Sequence, residues 1–190
     1  MLRHPRSDDL QDRMEAYTEL AVEWNGCIFR STTPQYASST DLISGVGSRR
    51  KGARYTPVRS FSTVYGGEDP ETALAETMAY YRDYGFSDAD AMPRVFVNIE
   101  VEVYDVLDLT DAAMRRRLGV TVADLTEGSW RDFQEADREA LTQAIGRTAY
   151  KLGFEGLFYP SARLRGRFNL AVFPENLYGT SSLRVDDVFD

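Results

Sequence analysis

The most regular pattern in the sequence lies between residues 94 and 104, where hydrophobic and polar positions alternate. One face of this segment carries Val95, Val97, Ile99, Val101 and Val103, and the other carries Phe96, Asn98, Glu100, Glu102 and Tyr104. A repeat of two residues predicts a strand with one buried face and one largely polar face. Shorter apolar runs predict further strands over residues 27–30, 61–65, 154–159 and 168–173, with an edge strand over 183–188.

Helical periodicity appears in three long segments and two short ones. It predicts helices over residues 8–24, 69–84, 110–117, 121–126 and 132–152. Asp69 and Pro70 form a typical helix start, since Asp caps the first turn and Pro fits the first helical position. Gly85 and Gly153 are typical of the residue that follows a helix. Strands and helices mix without a regular alternation, which predicts the α+β class.

The loop predicted over residues 31–57 is rich in Ser, Thr, Gly and Arg. A loop of this length in a compact domain often carries function. It contains most of a basic cluster, formed by Arg49, Arg50, Lys51, Arg54 and Arg59. This cluster predicts either a solvated loop or a site for an anionic ligand, and its charge alone does not decide between them.

Composition narrows the classes of function. The 190 residues are the size of one domain, and a formal net charge of −8 argues against direct nucleic-acid binding. Cys27 is the only cysteine and His4 the only histidine, which leaves no internal disulfide, no Ser-His-Asp or Cys-His catalysis and little scope for a zinc site. The absence of a long apolar run and of an apolar signal core predicts a cytoplasmic protein with no membrane segment.

Three sets of motifs together resemble the RES domain family. The first is Ile28-Phe29-Arg30. The second is Gly52-Ala53-Arg54-Tyr55, then Phe61-Ser62-Thr63-Val64-Tyr65, then Ala73-Leu74-Ala75-Glu76. The third is Gly156-Leu157-Phe158-Tyr159-Pro160-Ser161-Ala162-Arg163, then Asn169-Leu170-Ala171-Val172-Phe173. No short piece is specific, whereas their order and spacing are.

The resemblance implies a fold and a domain layout. It implies an ADP-ribosyltransferase-like fold with strongly twisted mixed sheets and flanking helices. Residues 1–190 would form a single RES-like domain with a core over about 25–175, an N-terminal helical extension and a C-terminal edge segment. Many members carry Trp or Phe where this chain has Tyr55, and the segments before Gly26 and around residues 105–135 are extra.

The resemblance also implies an activity and a set of site residues. RES proteins are typically toxins that consume NAD by hydrolysis or phosphorolysis, with NAD and inorganic phosphate as substrates and no bound cofactor or metal. They are paired with a helical Xre-family antitoxin. The family's catalytic residues fall on Arg30, Glu76 and Ser161. Its substrate-binding positions fall on Arg54, Tyr55, Tyr65 and Asn169.

The chemistry of NAD agrees with these residue types. Nicotinamide leaves without needing a proton, and the resulting oxocarbenium-like sugar can be stabilised by a fixed carboxylate, the role expected of Glu76. The paired donors of Arg30 and Arg54 suit a diphosphate. Ser161 has no histidine base, which favours a positioning role over nucleophilic attack. Tyr55 and Tyr65 could stack on a base or shield the site from water.

Two alternatives stay open on the sequence alone. One is an enzyme that transfers ADP-ribose to a macromolecule. The other is a non-catalytic module that binds a nucleotide or a protein. The sequence also leaves open whether water or phosphate accepts the ADP-ribosyl group, and whether the chain forms a homo-oligomer.

Overall fold

A computed structural model describes residues 1–83 and 85–185, with the side chain of Tyr80 left out. Its strands are β1 (Val22–Thr32), β2 (Val64–Gly67), β3 (Val95–Asp108), β4 (Gly156–Pro160), β5 (Phe168–Val172) and β6 (Ser182–Val185). Its helices are α1 (Ser7–Glu15), α2 (Ser39–Ser44), α3 (Val46–Lys51), α4 (Pro70–Asp83), α5 (Ala112–Leu118), α6 (Val122–Thr126), α7 (Trp130–Glu135) and α8 (Leu141–Lys151). The α+β prediction is confirmed. The prediction of one domain over 1–190 stays a prediction.

Five strands pair in a closed ring, in the order β1-β2-β5-β4-β3 and back to β1. The pairs are antiparallel except for β3 with β4. The sixth strand, β6, pairs with β3 outside the ring. A transverse row of four residues, Phe29, Gly67, Asn169 and Tyr159, runs across neighbouring strands. Asn169 and Tyr159 of this row lie where the candidate site forms.

Alternation along the strands sorts the core into two clusters. The first cluster contains Tyr55, Leu157, Tyr159, Ala171 and Phe173, with residues of α1, α5 and α8. The second contains Ile28, Leu170 and Val172, with the alternating valines of β3. The predicted buried face of β3 is confirmed, since Val97, Ile99, Val101 and Val103 are each at most 4% exposed. Odd-numbered and even-numbered residues of one strand, which we describe as residues of opposite parity, therefore face different clusters.

Several predicted boundaries are wrong. The helix expected over 8–24 ends at Glu15, and a single 3₁₀ turn leads into β1. The predicted loop over 31–57 contains α2 and α3. The strand expected over 61–65 begins only at Val64, and its first residues are buried without strand pairing.

Two further predictions differ in extent. The helix expected over 132–152 is interrupted between Glu135 and Leu141, where Asp137 has a positive φ of 53°. The edge strand expected over 183–188 is observed as β6, and residues 186–188 lie outside the described residues. Among the described residues, no helix combines the length and the apolar character needed to cross a bilayer.

Helix α8 approaches the backbone of residue 55 at a glycine. A Cβ on Gly146 would lie 1.9 Å from the carbonyl oxygen of Tyr55, whereas one on Gly47 in α3 would meet nothing within 4 Å. Only a residue without a side chain allows this approach, because backbone on the facing side cannot rotate away.

We expect Gly146→Ala to lower the free energy of unfolding by about 1–3 kcal/mol through overpacking. The matched change Gly47→Ala should be neutral or slightly stabilising, because Ala favours the helix. Urea unfolding of both variants measures the difference. Equal stability of the two variants would contradict the close approach.

Candidate active site

Helix α4 presents Glu76 to the end of the sheet. The carboxylate of Asp69 accepts a hydrogen bond from the Thr72 backbone N–H at 2.7 Å, which confirms the predicted cap. Thr72 and Ala73 are buried toward the sheet. A Cβ on Gly67 would lie 2.8 Å from the Ala73 nitrogen, so the helix start sits directly against β2. This anchoring fixes the helix and the acid that it carries.

One oxygen of Glu76 accepts three hydrogen bonds. Its Oε1 lies 2.7 Å from the Ser161 hydroxyl, 3.1 Å from the Asn169 side-chain amide nitrogen and 3.2 Å from the Ala162 backbone nitrogen. Ser161 and Asn169 are 7% and 2% exposed. The structure thus brings together three residues predicted from distant parts of the sequence, and it gives the carboxylate a single orientation.

The Ser161 hydroxyl is fully engaged. It donates to Glu76 and accepts from the backbone N–H groups of Arg163 and Leu164, both at 3.1 Å. A hydroxyl that donates to a carboxylate and accepts two N–H groups is a poor nucleophile. This geometry agrees with the positioning role expected from the sequence.

The loop that carries Ser161 is clamped to both ends of α4. Arg163 pairs with Asp83 at 2.9 Å near the helix end. Arg167 pairs with Asp69 at 3.3 Å at the helix start. These are partly exposed ion pairs, each worth little to stability. Their placement on either side of Glu76 restricts movement of the loop relative to the helix.

Arg54 and Tyr55 form the tip of a tight turn. Ala53 and Thr56 close it by exchanging two backbone hydrogen bonds of 2.8 and 3.1 Å. The Tyr65 hydroxyl accepts from the Tyr55 backbone N–H at 3.2 Å and shares a hydrogen bond of 2.7 Å with Thr56. Arg54 itself donates to the carbonyl oxygen of Leu125 at 3.1 Å. The Tyr65 hydroxyl therefore holds the turn by hydrogen bonds, and the turn carries Arg54 at its tip.

The two tyrosine rings differ in exposure, and their expected stacking on a base stays a prediction. Tyr55 is 0% exposed, and its ring packs on Tyr159 with centroids 4.5 Å apart. Tyr65 packs edge-on against Tyr159 at 6.5 Å, while its hydroxyl supports the turn. Tyr55 is thus part of the core, whereas Tyr65 is half-buried and packs against it.

The electrostatics connect Glu76 with Arg54. Burial, followed by the negative charge of Glu76, raises the pKa of the Tyr159 hydroxyl well above its ordinary value, and the positive charge of Arg54 opposes that shift. Burial likewise raises the pKa of Tyr55, which the same two charges influence in opposite directions. The acid and the arginine therefore act on one buried tyrosine pair.

Arg30 is not brought into this group. It has the parity of Ile28 on β1, which belongs to the second cluster, whereas Asn169 and Tyr159 have the opposite parity. Its guanidinium donates to the Leu42 carbonyl oxygen at 2.6 Å, and burial lowers its pKa. Within the described residues no ion pair holds Arg30. Its predicted catalytic role stays a prediction without a contact to Glu76.

The basic cluster predicted around residue 50 is split by the fold. Arg49, Arg50 and Arg59 line a surface cavity of about 400 Å³, while Arg54 turns toward Leu125. A second cavity of about 370 Å³ includes Arg49, and neither cavity is lined by Glu76. The described residues contain no group of His, Cys, Asp or Glu side chains arranged to hold a metal ion.

Comparison with known proteins identifies the fold and the family of the chain. A solved structure, the MbcT-MbcA toxin-antitoxin complex of M. tuberculosis, contains a chain of similar fold, with a TM-score of 0.73 and 23% identity over 94% of this chain and 89% of that one. The profile of the RES domain matches residues 28–186. The chain belongs to the RES domain family.

Two relatives share one name and the same degree of similarity to this chain. These are the NAD(+) phosphorylase MbcT proteins of Mycobacterium tuberculosis and Mycobacterium bovis. Each is 24% identical over 143 residues, covering 74% of this chain and 70% of the relative.

Tyr159 is not among the site residues that the sequence predicts. The signal was present in the alternation, because Tyr159 precedes Ser161 by two positions and both therefore leave the chain on one side. Its pairing with Asn169 could not be read from sequence spacing, since β4 and β5 are joined by a loop of unpredictable geometry.

We expect Asn169→Asp to destabilise the fold in a pH-dependent way. The new carboxylate would lie about 3 Å from Glu76, so one of the two carboxyl groups would titrate above its unfolded-state pKa. A carboxyl group whose pKa is higher in the folded state contributes fully to stability below its unfolded-state pKa. That contribution is lost as the pH rises through the folded-state pKa. The loss relative to wild type should be about 1–3 kcal/mol near pH 7.5 and clearly smaller near pH 4.5.

Denaturant unfolding at the two pH values measures this loss. Gln35→Glu, at an exposed position of the 3₁₀ turn of residues 34–36, is the control and should show little change. An equal loss for Asn169→Asp at both pH values would speak against a charge conflict with Glu76.

Proposed function

We propose that this protein is an NAD-consuming enzyme that cleaves the bond between nicotinamide and ribose. The observation that carries the proposal is the Glu76 carboxylate, which is oriented by Ser161, Asn169 and the Ala162 N–H. Membership of the RES domain family and similarity to NAD(+) phosphorylase MbcT support the choice of substrate.

The reaction breaks the bond between C1 of the nicotinamide-bearing ribose and the pyridinium nitrogen. The bonding electron pair goes to the nitrogen, which leaves as neutral nicotinamide. An oxygen of phosphate or of water forms the new bond to C1, and an attacking water loses its proton to solvent. Glu76 stabilises the positive charge that develops on the sugar, a preorganised electrostatic effect that costs no reorganisation during the step.

We assign to Arg54 the binding of phosphate oxygens of the substrates. It stands at the tip of an anchored turn, and its charge acts on the same tyrosines as Glu76. Its one hydrogen bond to Leu125 leaves further donors of the guanidinium for a ligand. Arg30 is half-buried and donates to the Leu42 carbonyl oxygen, so a role for it in binding NAD would require the substrate to reach the other face of β1.

We extend the proposal to the cellular setting. The similar structure is a toxin-antitoxin complex, which supports a toxin role for this chain with a protein antitoxin as partner. A helical antitoxin of Xre type, a cytoplasmic location and an ADP-ribosyltransferase-like origin of the fold belong to the same proposal. They rest on the family resemblance.

Product analysis tests the proposed reaction. Purified protein incubated with NAD should release nicotinamide, and mass spectrometry should detect ADP-ribose phosphate when inorganic phosphate is present and ADP-ribose when it is absent. Label from NAD that appears on proteins of a lysate would favour ADP-ribosyl transfer instead. Unchanged NAD under all conditions would favour the non-catalytic alternative and reject the proposal.

We expect Glu76→Gln to lower NAD turnover by about 10²–10³-fold, because the neutral amide cannot stabilise the developing cation. The side chain keeps its shape and an oxygen for Ser161 and Asn169, so thermal unfolding should change little. The control is Glu71→Gln on the exposed first turn of α4, which should retain full turnover. A Glu76→Gln protein with near-normal turnover would remove Glu76 from the mechanism.

A further inference from the structure

Three tyrosines pack together beside Glu76, and their hydroxyl groups differ. The Tyr65 hydroxyl is occupied by the turn of residues 53–56. The Tyr55 hydroxyl is buried without a hydrogen-bond partner, and its residue is 0% exposed. The Tyr159 hydroxyl also has no hydrogen-bond partner within the described residues, and its residue keeps 7% exposure. Tyr159 is therefore the member of the cluster that combines a free hydroxyl with residual access.

The sheet places Tyr159 on the side where Glu76 is held. Its strand partner is Asn169, whose amide donates to Glu76, and two residues further along the chain Ser161 donates to the same oxygen. Because Tyr159 keeps this residual exposure, a ligand or a water molecule can accept a hydrogen bond from its hydroxyl.

The surroundings determine what this hydroxyl can do. Glu76 and Arg54 act on it with opposite charges, and burial keeps it protonated at neutral pH. A protonated phenol donates a hydrogen bond and does not act as a base. A neutral donor of this kind can bind an oxygen of an anion that approaches the sugar. It does so near the Glu76 carboxylate without adding negative charge.

We propose that the Tyr159 hydroxyl contacts the substrate and donates a hydrogen bond to the inorganic phosphate that accepts the ADP-ribosyl group, together with Arg54. The inference rests on the proposed function and adds to it a residue that selects phosphate over water. A dianion gains from a cation and a neutral donor placed side by side, whereas water needs neither.

The test is steady-state kinetics of Tyr159→Phe with NAD and inorganic phosphate varied separately. We expect the KM for phosphate to rise about tenfold, while the KM for NAD stays within about twofold. At a fixed low phosphate concentration the products should shift from ADP-ribose phosphate toward ADP-ribose. A purely structural role would lower stability and would leave this product ratio unchanged.

Tyr150→Phe is the matched control. Its ring stacks on Phe61 with centroids 4.3 Å apart, and Glu175 rather than Glu76 neighbours its hydroxyl. This variant loses the same atom from another part of the core, and its KM for phosphate should equal that of wild type. A fluorinated tyrosine at position 159 keeps the ring and strengthens the donor, so it should lower the KM for phosphate even if Tyr159→Phe folds poorly.

The outcomes separate this inference from the proposed function. If the wild-type enzyme consumes NAD at a rate that does not depend on phosphate, NAD hydrolysis stands as the function and the inference about Tyr159 is overturned. An unchanged phosphate KM and product ratio in both Tyr159 variants would overturn it as well. A wild-type protein that leaves NAD intact would reject the function, and the inference with it.

Discussion

The candidate site depends on one interaction, the convergence of three donors on a single oxygen of Glu76. Ser161 and Asn169 come from either end of the loop between β4 and β5, and Ala162 follows directly after Ser161. The carboxylate belongs to a helix more than eighty residues earlier in the chain. Each donor is itself fixed, since Asn169 lies within a strand and the Ser161 hydroxyl closes its own loop. The acid therefore needs no movement to take its orientation.

The rest of the fold can be understood as support for that convergence. The closed ring of strands places β2, which leads into α4, next to β5, which carries Asn169. The ion pairs of Arg163 and Arg167 tie the loop to both ends of the helix. Helix α8 packs closely against the turn that presents Arg54, and Gly146 is the residue that allows this contact. Glu76 and Arg54 are thus held by separate sets of contacts, so the loss of one set does not directly displace the other residue.

Sequence patterns predicted what depends on local physics. The alternation of β3, the capped start of α4 and the short helices around residue 115 follow from side-chain periodicity and from the first-turn donors. The helices inside residues 39–51 were missed, because they are six residues long and polar, too short for periodicity to show. The break before α8 was missed because Ala140 continues the helical spacing while its φ and ψ angles are extended. The role expected of Glu76 came from the family resemblance, whereas its contacts are seen only in the structure.

Arg30 and Tyr159 illustrate how much depends on the direction in which a side chain leaves the sheet. Arg30 ends an apolar run, which suggests exposure to a ligand, yet strand parity turns it toward Leu42 and the second cluster. Tyr159 sits within a buried run, which suggests simple packing, yet the same parity directs it toward Asn169 and the charge of Glu76. The alternation itself is readable from a sequence, but the cluster that each face of a strand meets follows only from the strand partners. In a ring with one parallel and several antiparallel pairs, those partners follow from tertiary packing, and for that reason chemistry at the strand ends requires the structure.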